Sequence, residues 1–483
     1  MFLLYDVYLI QEINKTLTKK QKDTQGGYYM KKFGVKDQVG YMLGDVGGSF
    51  VNLYIGSFFI VFCTYVLGVS PYFMGTMFLV GKVFDALVTG VMGTITDRFR
   101  IGKSGDKFLP WISFSKWILA AACLLAFADI SSWGSTATHI WVVAAYLFFC
   151  VAYTADAIPY GSLASVITND PVERTKLSRA RSIGGMIVGV GFLSFVPMFI
   201  YDKAGNIVPE AFFYIAIVFS ILSLLSYTGL VKLTTERIRD EKPAGAKPEY
   251  DFKDAFKVAL SNRPLIGMMV ATLGSTLIIS GVATLAAYVF AEFYNMPSAF
   301  AINSFISMGI ILALFVVIPK LVAKFNKRNL ILVTSAFSLV ATTLMTLVTF
   351  ENVYVFAALY NFATIGSSVF VMLVWALVTD CIDYTEYKTG KKIEGTLYSL
   401  YSFARKVGMG VGAAVGSYSL GWVGFVSGAK SQPQEVAEGI LKMYTGMPVV
   451  AFIIILIGVG LIFNLNSKST NEMYAVLKER RAS

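Results

Sequence analysis

"VVAFIIILIGVGLIF", residues 449–463, has only apolar side chains, and nothing in it alternates as a half-buried strand would. It sits inside a window near the ~20 residues that a helix needs to cross a bilayer. "FFIVFCTYVLGV" (58–69) and "LIISGVATLAAYVF" (277–290) read the same way. Over 483 residues, 56% are hydrophobic and 15% charged, where a soluble domain carries roughly a quarter charged. Backbone groups in lipid need internal partners, and a helix supplies them along its own length. The sequence therefore describes an all-α polytopic membrane protein.

Twelve candidate spans follow, near 41–68, 70–96, 110–129, 139–165, 182–201, 211–232, 264–291, 299–324, 329–350, 354–381, 395–425 and 441–465. The connections alternate. "DRFRIGKSGDK" (97–107), "NDPVERTKLSRAR" (169–181), "KLVAKFNKR" (320–328), "EYKTGKK" (386–392) and the stretch 234–264 are rich in Lys and Arg, whereas "DISSWGSTATH" (129–139), "EFYNMPSA" (292–299) and "FENV" (350–353) contain neither. Basic loops stay on the cytoplasmic side, so both termini are expected there. The net charge of +11 is thus a topology signal and not a nucleic-acid footprint. The charged, Pro- and Gly-containing stretch at 233–263 divides the chain into halves at 38–232 and 264–465, followed by a cytoplasmic tail at 466–483. Residues 1–37 read as an extension. Its first nine or so residues are apolar but lack a signal peptide's cationic start and cleavage site, and Met30 reads as the natural start. The cysteines at 63, 123, 150 and 381 lie singly in or beside apolar runs, with no disulfide or metal spacing.

Ionisable side chains inside a span cost about 2.5–3.5 kcal/mol at the membrane centre, which makes each a functional hypothesis. Lys82 and Asp85 stand three apart in the second span, share a helix face and can pair, structurally or as a cation site. Asp45 lies in "LGDVGG" (43–48), whose glycines admit a close neighbour. Asp156 lies just before Pro159 in the fourth span. The single histidine, His139, is at a span end; any transported proton would ride on a carboxylate.

"DYTEYKTGKKIEGTLYSLYSFARK" (383–406) concentrates charge where the rest is apolar. Asp380, Asp383 and Glu386 fall where the tenth span meets the cytoplasm, and Lys388, Lys391 and Lys392 form the loop. With Asp97, Arg98 and Arg174 beside other basic loops, the acids read as a cytoplasmic gate. Arg405 and Lys406 lie about ten residues into the eleventh span. Tyr398, Ser402 and Arg405 share a face at spacings of four and three, and Tyr401 is four before Arg405. Aromatic surface, hydroxyls and cations suit a negatively charged sugar. A guanidinium can hold a carboxylate through two hydrogen bonds at once.

This stretch, with "YMLGDVGG", "GTMFLVGKVFDAL", "GKSGDKFLPW", "IPYGSLASVIT", "ERTKLSRARS" and "NRPL", resembles the glycoside-pentoside-hexuronide:cation symporters of the major facilitator superfamily, in family order from about 38 to 425. The resemblance implies twelve helices in two six-helix halves and a second-helix cation site of D-A-x-x-D form. The first carboxylate matches Asp85, the second position is Thr89, and Lys82 precedes them. The family's eleventh-helix lysine matches Lys406 and its fifth-helix arginine matches Arg181. The acids that grip galactoside hydroxyls in melibiose carriers fall on Ser49 and Ala157, so both are gone. The Arg405–Lys406 pair looks most like the glucuronide carriers.

The sequence reading is a cation-coupled importer of glucuronides or related acidic glycosides. It works by alternating access in the bacterial inner membrane, functional as a monomer, with no cofactor or metal and H+ favoured over Na+. A proton needs one acid, while sodium prefers several oxygens and the site has lost a carboxylate at Thr89. A neutral-glycoside symporter keeps the fold with Arg405 as an ion-pair partner of Asp85 or Asp45. A non-transporting sugar sensor would need an appended signalling domain, which neither tail nor central loop offers. No nucleophile–base pair, metal constellation or phosphate-binding glycine loop supports an enzyme.

Overall fold

The computed structural model describes residues 32–99, 101, 105–168, 170–202, 205–238, 261–390, 394–429 and 431–482. Helices account for nearly all of them: α1 Val35–Tyr65, α2 Pro71–Arg98, α3 Leu109–Ala126, α4 Ser135–Ile167, α5 Pro171–Gly191 and α6 Pro209–Leu233. After residue 260 come α7 Arg263–Phe293, α8 Ala299–Phe325, α9 Lys327–Leu347, α10 Val353–Thr389, α11 Glu394–Trp422, α12 Gln434–Ile462 and α13 Ser467–Ala482. Eleven helices among the described residues are long and apolar enough to cross a membrane. Two helices fall outside that group: the short, polar α13, and α11, which Arg405, Lys406, tyrosines and glycines make less apolar. Its expected span at 395–425 is nevertheless a continuous helix, packed between α2 and α7.

Local chemistry sets the helix ends. Ser70 accepts from the Tyr72 amide ahead of Pro71, and Asn262 accepts from the Leu265 amide ahead of Pro264. Each side chain takes up an amide that the first turn leaves unpaired. Gly390, at φ +67, closes α10 in the left-handed conformation. The α12 end is capped from outside. Arg328 donates to the Val459 and Gly460 carbonyls, and Arg263 to those of Leu461 and Ile462. Two cations thus sit on the negative end of one helix.

The expected boundaries shift in three places. Helix α1 begins at Val35, so the supposed extension to residue 37 overlaps its first turn, where buried Asp37 pairs with Arg237 at 2.8 Å. Helix α10 runs on to Thr389, past the expected span end at 381, so that Asp380, Asp383 and Glu386 lie along its last turns. The described start of the central connection is packed: Glu236 accepts the amides of Lys107, Phe108 and Leu109 at 2.6–2.7 Å. Residues 1–31, with Met30, and 239–260 lie outside the described residues.

One large buried cluster joins α1–α6 to α7, α10, α11 and α12. Its cross-contacts gather at the end carrying the neutral loops. There Thr64 and the Tyr288 hydroxyl are 2.8 Å apart, Tyr65 donates to Glu292, and the Gly428 amide donates to the Thr64 carbonyl at 2.9 Å. A second cluster, built around Ile331, Phe370, Leu377 and Tyr401, belongs to the C-terminal helices alone. The N- and C-terminal helices are therefore sewn together at the neutral-loop end. Toward the basic-loop end, a cavity separates α5 from α10 and α11.

Candidate functional site

Two polar centres occupy the interior. The first is built on α2 and α11. Asp85 is almost fully buried, and its Oδ2 lies 3.3 Å from Lys406 Nζ and 4.0 Å from Lys82 Nζ. Its Oδ1 accepts from Thr154 of α4 at 2.7 Å. Thr89 donates to the Asp85 carbonyl at 2.7 Å and its oxygen accepts from Lys406. A buried carboxylate is tolerable only when paired and hydrogen-bonded, and this one has both. One carboxylate faces two ammonium groups, so the formal charge of the centre is positive.

The second centre lies around a cavity of about 640 Å³, lined by Ser178 and Arg181 of α5, Trp375, Val378, Thr379 and Ile382 of α10, and Tyr398 and Arg405 of α11. Arg181 Nε pairs with Asp45 Oδ1 at 3.1 Å, and its guanidinium stacks on Tyr160 at 5.1 Å. Ser49 donates to Asp45 Oδ2 at 3.5 Å. The pair forms because α1 and α5 touch closely: a Cβ on Gly184 would sit 2.7 Å from the Met42 carbonyl. Across the cavity, the Arg405 guanidinium lies 5.6 Å over Trp375, which stacks on Tyr398 at 5.4 Å. Among the described residues Arg405 has no carboxylate within ion-pair distance.

The sequence-predicted residues are thus sorted. Lys82, Asp85 and Thr89 come together as expected. Tyr398 and Arg405 share a face and line the cavity. Lys406 does not join Arg405 there; helical geometry turns adjacent residues about 100° apart, which sends Lys406 to Asp85. Asp156 is also elsewhere: fully buried, it accepts from Ser115 at 2.9 Å, with its second oxygen beside the Tyr227 phenol. The expected glycine contact in "LGDVGG" brings that phenol in, because a Cβ on Gly47 would meet the Tyr227 ring at 2.7 Å. Tyr401 is buried behind Trp375, its hydroxyl 2.8 Å from Thr272, and Ser402 is half-buried outside the cavity lining.

Of the expected gate residues, Asp380 binds Lys327 at 2.6 Å and accepts from Tyr474 of α13 at 2.6 Å, a clasp within the C-terminal helices. Arg174 donates to the Thr168 carbonyl at 2.9 Å. Asp383 and Glu386 lie on α10, and the side chains of Asp97 and Arg98 lie outside the described ones, as do Lys391 and Lys392. Sequence reading missed Trp375, Thr154 and Glu236. Trp375 sits in an apolar run where nothing separates a cavity wall from a lipid-facing ring. Thr154 stands two residues before Asp156, which drew attention to the wrong side chain.

No group of three or more His, Cys, Asp or Glu side chains among the described residues is arranged to hold a metal. The long apolar helices and the cavity between two helix sets are those of a transporter of the major facilitator fold. The inward-open xylose transporter XylE of E. coli is similar at a TM-score of 0.58 and 13% identity, over 92% of this chain and 98% of that one. The chain belongs to the MFS/sugar transport protein family, whose model matches residues 40–467. It is 29% identical to the uncharacterized symporter YjmB of Bacillus subtilis (strain 168), over 93% of this chain and 96% of the relative. It is 28% identical to the glucuronide carrier protein homolog of Escherichia coli (strain K12), over 86% and 91%. The resemblance to the glycoside-pentoside-hexuronide symporters is borne out.

Proposed function

We propose that the chain imports glucuronides or related acidic glycosides together with a cation, H+ before Na+, across the bacterial inner membrane, with its basic loops and termini in the cytoplasm, and that it works as a monomer. The observation that carries this reading is Arg405: a cation on a cavity wall, stacked on Trp375, with no acidic partner among the described residues. An unpaired guanidinium beside an aromatic platform suits a sugar acid, which supplies the missing charge through hydrogen bonds and an apolar ring face. The name of the glucuronide carrier homolog points the same way.

Asp85 is the proposed coupling residue. Lys406 and Lys82 already crowd its carboxylate, so a sodium ion would enter a positive centre with one formal negative charge. A proton needs only the carboxylate oxygen. Protonating Asp85 weakens its hold on Lys406 and leaves two ammonium groups close together, which an arriving anion in the neighbouring cavity offsets. Cation and anionic sugar then favour each other's binding, which is what symport requires. The join at the neutral-loop end and the cavity toward the basic loops support an inward-facing arrangement.

The test is binding of an aryl glucuronide and its matched glucoside to purified protein by calorimetry. Arg405→Gln is expected to weaken the glucuronide by about 10- to 100-fold, one charge-assisted contact, and to leave the glucoside nearly unchanged. Equal losses for both ligands would remove the acidic-sugar reading.

A further inference from the structure

Arg181 and Arg405 face one cavity from opposite helix sets, yet their electrostatic situations differ. Arg405 has no carboxylate partner among the described residues. Arg181 is neutralised by Asp45 at 3.1 Å, and Ser49 steadies that carboxylate. The Arg181 side chain is 49% exposed while Asp45 is 18% exposed, and Arg181 lines the cavity while its Nε stays paired with Asp45 of α1. A sugar acid that reaches both arginines meets one free cation and one already engaged.

We propose that Asp45 is an internal competitor for the substrate's charge: it holds Arg181 when the cavity is empty, yields part of it to an acidic sugar, and takes it back to expel that sugar. The inference rests on the acidic-glycoside reading and assigns Asp45 the opposite role to a sugar ligand. A ligand-binding carboxylate strengthens binding, whereas this one weakens it and speeds release. The position suits competition: Asp45 sits on α1 behind the arginine, tied to it through close α1–α5 packing at Gly184. It is absent from the cavity lining. A carboxylate there also repels an incoming sugar carboxylate, and that repulsion is small only while Arg181 stands between them.

The experiment compares wild type, Asp45→Asn, Arg181→Gln and the double variant, each checked for unfolding temperature in detergent, with an aryl glucuronide and the matched glucoside as probes. Asp45→Asn is expected to bind the glucuronide about tenfold more tightly, of the order of one charge-assisted contact. It should leave the glucoside within twofold and lower the maximal rate of glucuronide exchange through slower release. In the Arg181→Gln background the same substitution should tighten glucuronide binding clearly less, because no guanidinium is left to release and only direct repulsion is relieved. Weaker or unchanged glucuronide binding in Asp45→Asn overturns the proposal and makes Asp45 a ligand or a packing acid. If Asp45→Asn does not fold, Asp45→Glu keeps the charge but not the 3.1 Å pairing geometry. It is expected to shift glucuronide affinity without shifting glucoside affinity, and equal shifts overturn the proposal. A wild type that does not prefer glucuronide to glucoside overturns instead the reading on which this one rests.

Discussion

At the residue scale, adjacent cations do different work. Arg405 and Lys406 read in sequence as one anion clamp, but a helix sends neighbours to different faces, and only three dimensions show that Lys406 meets Asp85. The pairing of Lys82 with Asp85 was legible, because a spacing of three fixes a shared face. Asp156 was not, since Ser115, which donates to it, and Tyr227, which lies beside it, come from distant segments. Asp85→Asn is expected to abolish uphill accumulation while equilibrium glycoside binding stays within about tenfold of wild type, as checked by counterflow beside gradient-driven uptake. Thr89 lies one turn along from Asp85, and its oxygen already accepts from Lys406. Thr89→Asp therefore places a second carboxylate where the sodium site lacks one. The variant is expected to gain Na+ stimulation that the parent does not show. Strong Na+ dependence in the parent would instead make Thr89 a neutral oxygen ligand.

At the element scale, the span pattern was readable because apolar length and loop charge are local properties. What lay beyond reach were the contacts that tie the elements' ends. Glu236 follows α6 in a stretch that reads as a charged linker, yet it accepts three amides at the start of α3. Those amides have no partner within the helix, and a charged acceptor suits the positive helix end. Glu236→Ala leaves them unsatisfied, with an expected loss of about 2–4 kcal/mol of stability. Glu236→Gln retains an acceptor and should lose about half as much. Unfolding temperatures measured in detergent check both, and equal losses would remove the charge from the explanation. Helix α11 is the converse case. Its cations and glycines lower its apolarity but make it the interior wall, so a helix that falls outside the long apolar set carries Arg405 and Lys406.

At the scale of the whole molecule, an anionic sugar moving with one monovalent cation carries no net charge. A membrane potential is worth about 2.3 kcal/mol per charge at 100 mV, so an electroneutral cycle should ignore it. In proteoliposomes, an imposed potential at fixed ion gradients is expected to change glucuronide uptake by less than about twofold. A large potential-driven stimulation would exclude either the anionic cargo or the one-to-one ratio. The most direct test of the central claim is uptake of radiolabelled aryl glucuronide and its matched glucoside into proteoliposomes with an alkaline interior and no sodium. Proton-coupled import of acidic glycosides predicts glucuronide accumulation above equilibrium, its collapse when a protonophore dissipates the gradient, and no uphill movement of the glucoside. Accumulation of the glucoside in place of the glucuronide, or glucuronide uptake indifferent to the pH gradient, would contradict it.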